Sequence, residues 1–143
     1  MFLQTDSKHK SVQGWGCIYC TLCKIAGIKT IEQVDAAFPV LVEKGLVLDN
    51  DRWHAFCGRP LQGQIVEALA ETIGKKVVAR ELTVHPHDPE PTSNLKGIYI
   101  LVRGETESGG DHFGLSHPEE YNPDPRYPLD NIKEWRVWAV ANA

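Results

Sequence analysis

Apolar residues recur at helical spacing through the first half of the chain and at strand spacing through the second. From Cys17 to Ala26 the run Cys-Ile-Tyr-Cys-Thr-Leu-Cys-Lys-Ile-Ala contains no breaker and stops at Gly27, which predicts a helix closed by a glycine C-cap. A second helix starts after Thr30, because Gln33 stands at the capping-box position three residues on. Ile31, Val34, Ala37 and Phe38 then follow on one face, and Pro39 is expected to interrupt, with Pro39 to Leu48 extending or restarting a helix. Asp49-Asn50-Asp51 reads as a turn or cap, and Trp53 and Phe56 mark a short buried segment. Pro60 to Ile73 reads as a third helix, with Ile65, Leu69 and Ile73 on one face and Gly74 ending it.

Strands follow. Lys75 to Val84 is strand-like, and Gly97 to Arg103 is the clearest strand, being apolar, β-branched and aromatic. His112 to His117 and Trp135 to Ala141 complete the set, with a polar turn over Glu105 to Gly110. His85 to Pro91 carries three prolines and is expected to be an exposed loop, and Tyr121 to Pro128 carries three more. Residues 1–16 are polar and glycine-rich and are expected to lead into the first helix. Helices first and strands last predicts an α+β fold, with N-terminal helices packed on a C-terminal antiparallel sheet in a single domain, 1–143.

Composition narrows the function classes. A net charge of −4 with no clustered basic surface argues against nucleic-acid binding. No apolar run is long enough to span a bilayer, and Met1 to Lys10 lacks the apolar segment of a signal peptide, so no membrane partner and a cytoplasmic location are expected. Cys17, Cys20 and Cys23 share one helix and are poorly placed to pair, which fits reduced thiols. Gly14-Trp15-Gly16 lacks the preceding strand and third glycine of a phosphate-binding loop, and no cofactor is expected.

The chemistry concentrates in Gln13 to Cys20 and Asp111 to Phe113. Cys17 opens a helix, where unpaired N–H groups and the positive dipole end favour a thiolate and can support an oxyanion. Cys20 and Cys23 lie deeper along the helix and read as core. His112, at the mouth of a strand, is the preferred base over His54, His117, His85 and His87. Asn122 and Asp124, each followed by proline, are the candidates to orient it, Asn122 favoured because strand-like Tyr121 precedes it. Gln13, four residues before Cys17, could complete an oxyanion hole. Against this stands a metal site on Cys17, Cys20, Cys23 and Cys57, disfavoured because a regular helix turns such thiols progressively around its axis.

In that order, Gln13, Cys17, His112-Phe113 and Tyr121-Asn122-Pro123-Asp124-Pro125 resemble the papain-like cysteine peptidases. The nearest likeness is to the small bacterial double-glycine leader peptidases and to uncharacterised small phage and bacterial proteins with a Gly-Cys-Tyr helix start. The resemblance implies a papain-like fold and hydrolysis of a peptide or amide bond in a peptide or protein substrate. By it Cys17 is the nucleophile, His112 the base, Asn122 or Asp124 the orienting group and Gln13 the oxyanion donor. Three features depart from the pattern: Ile18 follows the cysteine where glycine is common, Gln13 stands close to it, and the third position is ambiguous. An inactive domain of the same fold, holding a peptide, small molecule or protein through Trp15 and Tyr127, is the alternative.

Overall fold

A computed structural model describes residues 1–49 and 55–143. After a 3-10 turn at Gln4–Asp6 come helices α1 (Lys10–Trp15), α2 (Cys17–Ala26) and α3 (Ile31–Glu43). A short pair, β1 (Leu48–Asp49) and β2 (Ala55–Phe56), precedes a 3-10 turn at Arg59–Leu61 and helix α4 (Gln62–Thr72). The strands β3 (Val77–Pro86), β4 (Ile98–Glu105), β5 (Asp111–His117) and β6 (Ile132–Asn142) form one antiparallel sheet in the order β3-β6-β4-β5. The architecture is α+β, with helices segregated to one face of that sheet. Trp53, His54 and the Asn50-Asp51 part of the expected turn lie outside the described residues. No helix among the described residues is long and apolar enough to cross a membrane.

The helix ends follow their local chemistry. Gly27 caps α2 at φ 93°, a left-handed conformation that glycine adopts without a Cβ clash. At α3 the Gln33 backbone N–H donates to Thr30 Oγ1 at 3.2 Å, and the Thr30 N–H donates to Gln33 Oε1 at 3.3 Å. Pro39 does not break α3. The Asp35 carbonyl that a residue-39 N–H would have met accepts from His9 Nε2 at 3.0 Å instead. The His9 ring also packs on Phe38, with centroids 5.0 Å apart.

Two further expectations give way. Residues 1–16 form the 3-10 turn and α1 because Phe2 and Val12 are buried core residues, too widely spaced to show a period. The expected loop at His85 loses its first two residues to β3, where His85 pairs with Trp135 and Pro86 with Glu134. β3 is an edge strand, so Pro86 can point its missing donor away from the ladder.

The main core joins Leu22, Ile25, Phe38 and Leu69 from the helices to Ala79, Leu101, Leu115 and Trp138 from the sheet. Ile100, Val102 and Trp135 bury the opposite face of the sheet under Leu129 and Ile132. Burial on both faces explains why Ile98 to Val102 is apolar without alternation. α2 packs on α4 and on β5, which sets its N-terminus beside that edge strand.

Candidate active site

Gly16 separates α1 from α2, and a Cβ there would lie 2.4 Å from the Val12 carbonyl oxygen. Only glycine lets the two helices meet this closely, and the junction aims Cys17 at β5. The outward edge of β5 has two uses. The Leu115 N–H and carbonyl pair with Tyr121 at 2.9 Å each, and two residues earlier the Phe113 N–H donates toward the Cys17 sulfur. Gly114 makes the first contact possible, since a Cβ there would lie 2.4 Å from the Tyr121 carbonyl oxygen.

The Tyr121–Tyr127 segment is thereby laid along β5, and Asn122 Oδ1 sits 2.7 Å from His112 Nε2. Asn122 is held in one orientation. Its Oδ1 also accepts from the Asp124 N–H at 3.0 Å, and its Nδ2 donates to the Tyr127 carbonyl at 2.8 Å. An oxygen facing Nε2 requires Nε2 to carry the proton, so in neutral His112 the acceptor lone pair is on Nδ1. The ring is buried and packs against Tyr127, with centroids 5.8 Å apart.

Cys17 and His112 therefore lie on packed neighbouring elements with Phe113 as their common neighbour. No hydrogen bond joins the sulfur to the imidazole among the described residues. Burial pushes the Cys17 thiol up to about 11, outweighing the N–H groups of Phe113, Ile18 and Cys17 that favour the anion. Desolvation thus opposes the thiolate expected at the helix start, although Cys17 itself is half-buried and lines the cavity.

No hydrogen bond joins Asp124 to the imidazole among the described residues. Burial works against its charge, but the Arg126 side chain and backbone N–H groups outweigh that and hold its carboxyl below the usual carboxylate range. Arg126 Nε and Nη2 donate to it at 2.9 and 2.7 Å. Of the two orienting candidates, Asn122 is the one on the ring. Gln13 is not at the site either, because its Nε2 donates to the Ser7 carbonyl. Two other glutamines, Gln4 and Gln62, line the cavity, and the sequence reading missed both; Gln4 is the one beside the Tyr121–Tyr127 segment. The Gln4 N–H donates to the Pro123 carbonyl at 2.9 Å, and its Nε2 donates to the Gln13 carbonyl at 3.1 Å. The signal for it was faint: one glutamine beside apolar Phe2 and Leu3 in a polar lead-in.

A cavity of about 560 Å³ is lined by Cys17, Gln4, Asp124 and Tyr127 together with Cys57, Gln62, Arg59 and Arg136, while His112 and Asn122 are not among its lining residues. Cys20 and Cys23 are fully buried in the core, and burial raises both thiols well above their ordinary range. Among the described residues no group of three or more His, Cys, Asp or Glu side chains is gathered to hold a metal ion. Comparison of the chain with protein-family models, with curated proteins and with solved structures yields no match.

Proposed function

We propose that this protein is a papain-like cysteine hydrolase that cleaves a peptide or amide bond. The observation that carries the reading is the Asn122–His112 hydrogen bond, which leaves Nδ1 as the basic nitrogen of a ring on β5, the strand whose Phe113 N–H donates toward the Cys17 sulfur. Because Cys17 rests as a thiol, the proton moves during attack. Sγ adds to the substrate carbonyl carbon while the thiol proton passes to His112 Nδ1. The imidazolium, steadied by Asn122, then protonates the leaving nitrogen as the C–N bond breaks, leaving a thioester on Cys17. Water attacks the thioester, giving its proton to His112, and the acid departs as the thiol re-forms. Gln4 Nε2, with one hydrogen on the Gln13 carbonyl, has a second to offer the oxyanion.

The raised Cys17 pKa favours a second reading, an inactive domain that binds a peptide in the same cavity. Fluorogenic peptide amides, assayed with purified protein, separate the two. Hydrolysis should disappear in Cys17→Ala and fall by about 10²–10⁴-fold in His112→Ala. Cleavage that persists in Cys17→Ala, or peptide binding without any cleavage, would end the hydrolase reading.

A further inference from the structure

The cavity lining carries two arginines, Arg59 and Arg136, that the cysteine chemistry does not use, beside the carboxylates of Asp111 and Asp124. Arg136 on β6 is 5% exposed, yet only its Nε is committed, donating to Glu134 Oε2 at 2.6 Å. Its Nη atoms have no hydrogen-bond acceptor among the described residues, and the residue lines the cavity. Its guanidinium lies over the Phe113 ring, 5.5 Å from the centroid. Phe113 is also the residue whose N–H reaches Cys17, so the guanidinium and the sulfur meet different parts of the same residue. Arg59 lines the same cavity and meets Arg136 through a shared Glu81: Arg59 Nη2 to Oε2 at 3.2 Å, Arg136 Nε to Oε1 at 4.0 Å. Glu134 is shared with Arg103, 2.9 Å away, which also pairs with Asp111 at 2.9 Å, so Arg59, Arg103 and Arg136 form one network with Glu81, Glu134 and Asp111 in which Arg136 bonds through Nε alone.

A guanidinium buried against an aromatic face, with its outer edge turned to a cavity, is a site for a planar anion. Gln62 adds a complementary feature. Its buried Oε1 has no donor among the described residues, and it lines the same cavity, where a peptide N–H could satisfy it. We propose that Arg136, assisted by Arg59, recognises a carboxylate of the peptide substrate next to the scissile bond. The inference rests on the hydrolase reading only for which bond that carboxylate adjoins. The carboxylate comes from an acidic side chain or from the peptide C-terminus, and both present the same two oxygens to the guanidinium.

Binding tests this apart from catalysis. Calorimetric titration of the Cys17→Ala protein would compare three peptides: acetyl-Ala-Glu-Ala-amide, acetyl-Ala-Gln-Ala-amide and acetyl-Ala-Gln-Ala with a free C-terminus. At least one carboxylate peptide should bind about tenfold or more tightly than the neutral one. The one that does identifies the carboxylate's source. The advantage should vanish in Arg136→Gln and shrink in Arg59→Gln, a half-exposed position where folding is not at stake. Equal affinities, absence of binding by all three peptides, or a preference untouched by Arg59→Gln and Arg136→Gln would overturn the proposal. Failure of turnover in the unmutated protein with the preference intact would count against hydrolysis alone.

Discussion

Alkylation of Cys17 as a function of pH tests whether the thiol or the thiolate is the resting state. A thiol titrating near 11 is ionised at pH 7 in about one molecule in 10⁴, against about one in 10² for the ordinary value of 9.0. Iodoacetamide should therefore label Cys17 about a hundredfold more slowly at pH 7 than it labels an ordinary exposed thiol. The rate should climb tenfold per pH unit and level off only near pH 11. Intact-protein mass spectrometry with peptide mapping reads this at Cys17 against the buried Cys20, Cys23 and Cys57. In the free protein His112→Ala should leave the profile unchanged, because no thiolate–imidazolium pair exists for it to break. The same shift has a stability consequence. Cys17 stays protonated in the folded chain after the unfolded thiol has ionised, so folding loses stability as pH rises from 9 to 11, by about 1.4 kcal/mol per unit from this group. Cys57, pushed up to about 12 by burial, adds to the loss over the same window and beyond it. Fast labelling at pH 6 that slows in His112→Ala would refute the argument, since it would reveal an ion pair already formed.

Two substitutions test how the site is built. Gly114→Ala should push the Tyr121 segment off β5 and separate Asn122 from His112, and NMR of the His112 ring at fixed pH should show the Nε2–H hydrogen bond lost. His9→Ala should leave the Asp35 carbonyl without its donor above Pro39 and lower stability by about 1–3 kcal/mol, measured by urea denaturation. An unchanged midpoint would mean that water replaces the imidazole there.

Much of the frame was legible in local pattern. Helix α2 ends at Gly27 and α3 begins at a Thr30–Gln33 box because caps are satisfied within a few residues. The order of helices and strands, and hence the α+β class, follows from periodicities that each segment carries in itself. What a residue meets across the fold is different in kind. Pro39 stays within α3 because His9, thirty residues earlier, supplies the missing donor. Asn122 rather than Asp124 reaches His112 because Gly114 admits the Tyr121 backbone, and Arg126 takes Asp124 for itself. Gln4 replaces Gln13 in the cavity because the N-terminal segment is fastened to Pro123. The protonation state of Cys17 was the sharpest case. Its place at a helix start is a sequence property and favours the anion, but how much water reaches the sulfur depends on the packing of α2 against β5. Desolvation is a property of the assembled fold, and here it outweighs the dipole.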